Sequence, residues 1–207
     1  MFSLQFVASL FWGRAFCGYV CPVGGMQECL MLISDKKVAG GKKNWIKYFI
    51  WTPWIITIAS LIIRAGGISG INFFYMTPRG VSLSEINSYF IYYGVILLVV
   101  VLALVTGKRG TCHYMCWMAP FMVIGTKLAD KLKIPKLHIK AQSDRCTGCG
   151  RCSVKCPMSL DVKDMAEKEN IKNDECILCG ECIDICPRNA LCYSFKNDKE
   201  KQYEKVL

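Results

Sequence analysis

Eight cysteines in a frame used twice leave the C-terminal part of this chain few ways to fold. Cys146, Cys149, Cys152 and Cys156 are spaced C-x-x-C-x-x-C-x-x-x-C and are followed by Pro157. Cys176, Cys179, Cys182 and Cys186 repeat the frame and are followed by Pro187. Three thiolates at i, i+3 and i+6 on a tight loop can wrap three irons of a cubane. The fourth, beside a proline, faces away and serves the other cluster. On that pattern Cys146, Cys149, Cys152 and Cys186 hold one 4Fe–4S cluster, and Cys176, Cys179, Cys182 and Cys156 hold a second. Gly150 and Gly180 fall in register, where the loop runs close to sulfur and calls for φ > 0. Zinc is the competing metal, but a tetrahedral site wants two cysteine pairs and has no role for the middle cysteine. A disulfide framework is the other alternative.

The remainder is too apolar for a soluble module alone, since 53% of the 207 residues are hydrophobic. Fourteen cysteines would suggest disulfides in a small secreted protein. With eight of them read as cluster ligands, the thiols instead require an electron-rich, low-oxygen compartment. The formal charge of +10 suits nucleic acid or anionic lipid, and its distribution separates the two. Lys36, Lys37, Lys42, Lys43 and Lys47, and then Lys108 and Arg109, gather beside apolar segments. That favours a membrane surface and a topology signal over nucleic acid.

Residues 1–12 are apolar but shorter than the roughly twenty residues a bilayer requires. They lack a basic leader and a cleavage site, so they read as a half-helix or the back end of a span rather than a signal peptide. Residues 23–33 suggest a short interfacial helix and 34–47 a basic loop. The first convincing span covers about 47–64, with Tyr48, Trp51 and Trp54 at its interfacial end and Pro53 tolerated as a first-turn residue or kink. The second covers about 89–106. Residues 65–88 form a far-side loop whose patch 71–76 is expected to touch the membrane or a partner. Dense Lys and Arg on the other side put everything after Arg109 in the cytoplasm. Residues 120–132 show helical apolar spacing and read as an amphipathic helix lying on the membrane, ended by Pro135. A linker follows, then the cluster loops, a strand over 191–195, and a charged, frayed tail from Lys196.

A second repeat is weaker. Cys17-Gly-Tyr-Val-Cys21-Pro aligns with Cys112-His-Tyr-Met-Cys116-Trp, each after a Gly and an Arg and each just past an apolar segment. A pseudo-twofold could bring Cys17, Cys21, Cys112 and Cys116 together at the membrane surface as one redox or metal site. Soft thiolates suit a third iron–sulfur cluster, copper(I) or zinc, and a reversible dithiol pair also fits. The bland alternative is four small residues at helix ends.

The cluster stretch resembles bacterial two-cluster ferredoxins. Together with CGYVCPVG, CHYMCWMAP and the two spans between them, nearly the whole chain resembles the NapH/NosR group of membrane polyferredoxins. That resemblance implies an integral membrane protein passing electrons between a membrane donor such as quinol and a partner reductase or metalloenzyme. Two departures stand out: Trp117 replaces the proline of the first motif, and no flavin-binding domain precedes the anchor.

His113 is a candidate ligand or quinone donor, with an interfacial histidine bonded to water or backbone as the alternative. His138 is expected to be solvated in the linker, Cys29 and Cys192 to be buried structural thiols, Tyr19 and Tyr114 to be interfacial anchors. Arg14 and Arg109 are expected to bind lipid phosphate. The expected fold is an α-helical membrane anchor (1–136) plus a small α+β ferredoxin-like domain carrying two 4Fe–4S clusters (137–207). It is a multi-pass protein of the cell membrane with its ferredoxin domain on the cytoplasmic face, an electron carrier without catalytic residues. Its expected partners are lipid, redox proteins and a quinone, not nucleic acid. A metal-handling or maturation factor, binding or reducing copper at the four membrane-surface thiols, is the alternative function.

Overall fold

A computed structural model describes residues 2–38, 41–67, 86–169 and 171–195. The expected loop patch 71–76 and the tail after Lys196 lie outside the described residues.

The helices α1 (Phe2–Trp12), α2 (Ala15–Tyr19) and α3 (Pro22–Leu30) open the chain. Two long helices follow, α4 (Ile46–Arg64) and α5 (Ile86–Thr106). At 1.5 Å per residue they run about 28 and 31 Å, the thickness of a hydrocarbon core. Only 6% and 11% of their apolar windows are buried in protein. A core helix of a soluble domain would be mostly covered; these two are long and apolar enough to cross a membrane. Pro53 lies two turns inside α4 rather than in its first turn.

The short α6 (Gly110–Tyr114) and the longer α7 (Ala119–Lys131) come next. The spacing of apolar residues in α7 is helical, as expected, but its apolar face does not lie open to a membrane. Ala119, Met122, Val123 and Ala129 are buried, and α1 packs along the helix. Trp51 and Trp54 of α4 pack edge-on against Phe121 of α7 at 5.3 and 6.4 Å, so these aromatics serve helix packing as well as any interface. The helix ends at Lys131, with Lys133 in the left-handed region (φ 56°), before Pro135 is reached.

The segment expected as a linker is a strand. β1 (His138–Ala141) pairs antiparallel with β2 (Leu191–Ser194), Ala141 opposite Leu191, and so closes the two ends of the cluster module onto each other. Its alternating pattern is four residues long, too short to stand out in sequence. Between the strands lie α8 (Arg151–Lys155), α9 (Val162–Glu167) and α10 (Glu181–Asp184). Gly150 (φ 72°) and Gly180 (φ 85°) start α8 and α10 from the left-handed region, as the register of the repeat required. Asp161 caps α9 by accepting from Asp164 N, and the core between loops and sheet is Ile139, Met158, Val162, Ile177 and Leu191.

Candidate iron–sulfur sites

The fold gathers the cysteines into three groups. One small cavity is lined by Cys146, Cys149, Cys152 and Cys186 together with Gly150 and Pro187. Another is lined by Cys156, Cys176, Cys179 and Cys182, among Met158, Val162 and Ile177. Each cavity takes three thiols from one loop and one from the other, the crossed grouping that the repeated frame leads one to expect. The thiols surround these spaces without meeting at a point: among the described residues no three His, Cys, Asp or Glu could hold a single metal ion.

The loop backbone is arranged around the sulfurs. The backbone N–H groups of Arg151, Leu178 and Glu181, each two residues past a cysteine, act to lower the thiols of Cys149, Cys176 and Cys179. The N–H of Ala190 donates to Cys186 Sγ at 3.4 Å. A donor set of four soft thiols with N–H groups aimed at sulfur fits a 4Fe–4S cluster, whose thiolate charge such bonds stabilise. The two surroundings differ. Cys149 is exposed and its thiol is lowered by the Arg151 N–H. Burial pushes the thiols of Cys156, Cys176 and Cys182 up, and that of Cys179 up to about 11. A cluster held by these four residues would need their thiols ionised, so its loading would release protons.

The third group is formed by the C-x-x-x-C pairs. Cys17 and Cys112 are buried, Cys21 and Cys116 half-buried. Burial raises the Cys17 thiol against the pull of the nearby Arg14 guanidinium, and burial pushes Cys112 up to about 12. The two halves cap each other. Met122 Sδ accepts from Cys17 Sγ at 3.4 Å, and Gln27 Nε2 donates to Cys112 Sγ at 3.4 Å. Gln27 and Met122 stand at the same offset, ten residues past the first cysteine of their own pair. Each thus covers the buried thiol of the other pair, as a pseudo-twofold would place them. Gln27 Oε1 also accepts from Thr111 N at 3.1 Å. The exits differ where Trp117 replaces the proline: α3 starts directly at Pro22, whereas α7 waits until Ala119 with Pro120 in its first turn.

This group sits directly on the second cluster loop. A Cβ on Gly18 would come within 2.6 Å of Ile177 O and 3.3 Å of Cys179 Cα, so only glycine lets the two backbones touch. Tyr19 Oη donates to Cys179 O at 3.2 Å and lies 2.8 Å from Tyr193 Oη, which donates to Leu178 O. Tyr19 is therefore a contact between modules rather than an interfacial anchor. His113, fully buried, has Nδ1 3.0 Å from Asn44 Oδ1 and Nε2 3.2 Å from Met158 O. Burial pushes its pKa down to about 4, so the ring is neutral.

Several expectations about charged and thiol residues are corrected. Arg14 and Arg109 are 1% exposed and reach no lipid phosphate. Arg14 Nη1 donates to Glu175 Oε2 at 2.8 Å and to Asp174 O at 2.9 Å. Arg109 Nη2 pairs with Glu28 at 2.5 Å while its Nη1 donates to Cys17 O at 2.7 Å. Lys47 is fully buried and pairs with Glu175, and Lys108 pairs with Asp35 and donates to Val154 O. Some of the cations counted as a topology signal are internal counter-charges. Cys29 and Cys192 are exposed, not buried. His138 lies on β1, with Nδ1 3.0 Å from Lys136 O. Glu175, which draws Arg14 and Lys47 together, escaped notice because an acid beside a ligand cysteine carries no pattern of its own.

Comparison with known proteins agrees with the thiol chemistry. The family model of a 4Fe-4S binding domain matches residues 1–39 and 89–135, and that of a 4Fe-4S dicluster domain matches 138–187. The protein named "putative electron transport protein YccM" of Escherichia coli is 26% identical over 183 residues, covering 80% of this chain and 47% of the relative. The uncharacterized protein MJ0750 of Methanocaldococcus jannaschii is 28% identical over 173 residues, covering 80% of this chain and 68% of the relative. The methylamine utilization ferredoxin-type protein MauN of Methylorubrum extorquens is 26% identical over 145 residues, covering 70% and 47%. The chain thus spans about half the length of YccM and MauN. No solved structure matches. Two 4Fe-4S-binding domain models matched on one chain make 4Fe–4S clusters its cofactors, and its distant relatives include proteins whose names speak of electron transport or a ferredoxin type.

Proposed function

We propose that the chain is a membrane-anchored relay of the NapH/NosR kind, carrying electrons between a membrane donor such as quinol and a soluble reductase or metalloenzyme. Its two long helices cross the membrane, and the cluster module stands on the cytoplasmic face. Cys146, Cys149, Cys152 and Cys186 hold one cluster, and Cys176, Cys179, Cys182 and Cys156 the second. Cys17, Cys21, Cys112 and Cys116 hold a third redox centre nearest the lipid. When bound, a 4Fe–4S cluster accepts and releases electrons singly.

The observation that carries this reading is the contact of Gly18 and Tyr19, between Cys17 and Cys21, with the backbone of Ile177–Cys179. The membrane-side thiols share a wall with the buried second group, and the first group opens to solvent at Cys149. The chain's own residues do the positioning. Arg14, Lys47 and Glu175 lock the modules, while Met122 and Gln27 hold the two buried thiols.

A second reading is a metal-handling site. Met122 Sδ stands 3.4 Å from Cys17 Sγ, and a thioether beside thiols suits copper(I). Anaerobic iron and acid-labile sulfide counts decide. Three clusters give about twelve irons per chain, falling to about eight in a Cys17→Ala, Cys112→Ala double variant. A count near eight in both proteins overturns the third cluster, and copper(I) bound by the wild type alone then selects the metal-handling reading.

A further inference from the structure

The two cluster loops share a ligand frame but not their charges, and the difference follows the solvent. Arg145 precedes Cys146, whereas Glu175 holds the same place before Cys176. Arg151 corresponds to Glu181, two residues past the second cysteine, and Arg188 corresponds to Met158, two past the fourth. The cavity of Cys146, Cys149, Cys152 and Cys186 is lined by Arg145, Arg151, Arg188 and Lys163 and by no carboxylate. The other cavity is lined by no charged residue. All three arginines are exposed, and among the described residues they make no ion pair. The nearby lysines are already matched: Lys163 lies 3.7 Å from Glu167, and Lys155 lies 3.7 Å from Glu181.

Charge offset for the bound thiolates does not account for these arginines by itself. The same four-thiolate load is carried by the second loop with Glu175, Glu181 and Met158 in the same places. There the nearby cations are the buried Arg14 and Arg109 of the helical part. Three unpaired cations are instead grouped around Cys149, the exposed thiol among the eight of the two cluster loops, where Val154 (57% exposed) and Ile185 (38% exposed) add apolar area. Val154 and Ile185 share a cavity with Cys149 and Arg151 whose carboxylates are matched, Glu28 by Arg109, Asp35 by Lys108 and Glu181 by Lys155, so the three unmatched arginines set the sign of the face and steer a partner of opposite sign.

From this arrangement we infer that the Cys149 face, marked by Arg145, Arg151 and Arg188, docks a redox protein bearing carboxylates around its own electron-transfer centre. The inference rests on the cluster assignment proposed above and names the partner's chemistry. An anionic membrane surface is the competing occupant. A protein is favoured because the cations surround a ligand cysteine, where short range to a second redox centre matters and lipid offers none.

The test uses the holoprotein in detergent, an acidic flavodoxin and a basic cytochrome c as probes, and calorimetry for binding. Wild type binds flavodoxin at least about tenfold more weakly as salt rises from about 0.01 to 0.15 M, which shortens the Debye length from about 30 to 8 Å. Arg145→Gln, Arg151→Gln, Arg188→Gln together reduce low-salt binding to the high-salt value and flatten the salt dependence. Arg145→Glu, Arg151→Glu, Arg188→Glu abolish flavodoxin binding and create low-salt binding of cytochrome c, a gain that misfolding cannot produce. Three results overturn the inference. Flavodoxin binding is the same in wild type and variants; neutralisation shifts the reduction potential but not binding; or phosphatidylglycerol vesicles alone lose binding in the variants. If the cluster assignment were wrong instead, Cys149→Ala would leave the iron count unchanged, a result read before any binding experiment.

Discussion

Removing the carboxylate of Glu175 should be the most damaging single change outside the ligand cysteines. Arg14 and Lys47 are 1% and 0% exposed, and both turn to this one side chain, itself 11% exposed. Burial alone would raise the Glu175 carboxyl, but the adjacent Arg14 and Lys47 hold it below its ordinary range. Glu175→Leu leaves two buried cations without a counter-charge, a loss of about 3–5 kcal/mol for broken buried pairs. For a chain of this size, about 2–4 °C per kcal/mol converts this to a fall in Tm of roughly 6–20 °C. Replacing all three, with Arg14→Met and Lys47→Met added, removes the stranded charges and should restore most of the loss, since apolar substitutes for a whole buried set are near neutral. Loss of cluster absorbance on heating in mild detergent reports both variants. A fall below about 2 °C for the single variant, or an equal fall in the triple, refutes the assignment of Glu175 as the electrostatic lock.

Further expectations follow from the same contacts. The Glu175 contribution is fully present above the ordinary carboxyl range near 4 and is lost as pH falls through its depressed value, so acid should separate the modules only below about pH 4; loss at pH 5–6, followed by hydrogen exchange, contradicts this. Gly18→Ala forces the backbone off Ile177 O and should cost about 1–3 kcal/mol with faster exchange at residues 177–179; an unchanged exchange pattern refutes the close contact. Cys186→Ala should degrade the electron paramagnetic resonance signal of the Cys146, Cys149, Cys152 site; loss confined to the Cys176 site contradicts the crossed grouping. A reporter fused after Leu207 should be active only in its cytoplasmic form; external activity reverses the proposed orientation.

The left-handed turns of the cluster loops were legible because the cysteine frame repeats. Spacing puts three thiols on one turn, and a glycine in register admits the left-handed backbone seen at Gly150 and Gly180. The two long helices were legible because apolar runs of that length have few other fates. What escaped notice depends on contacts between segments far apart in sequence. Arg14 looks like any arginine at a helix end until Glu175, 161 positions later, is placed against it. Cys29 and Cys192 show the converse error, for a thiol without a partner pattern says nothing about its burial, and both face outward. The apolar stripe of α7 suggested a lipid surface because periodicity reports an apolar neighbour without saying whether it is lipid or, as here, α1.

The departure of one loop from the other marks where the modules meet. Gly148 (φ 67°) in the first loop has Leu178 (φ 55°) as its counterpart in the second. A left-handed leucine costs about 1–2 kcal/mol that glycine would not. Leu178 is 6% exposed, and its Cδ1 would lie 3.1 Å from a Cβ on Gly13, at the junction of α1 and α2. Burying a leucine side chain contributes about 1.5–3 kcal/mol, enough to offset the backbone term. The strained residue therefore occurs in the loop that packs on the helical part, while the solvent-facing loop keeps the unstrained glycine. Glu175 against Arg145 and Glu181 against Arg151 follow the same division, carboxylates on the loop held by the helices and arginines on the loop facing outward. One ligand frame has thus been fitted to two surroundings by changing residues between the cysteines, and those residues orient the module on the helices.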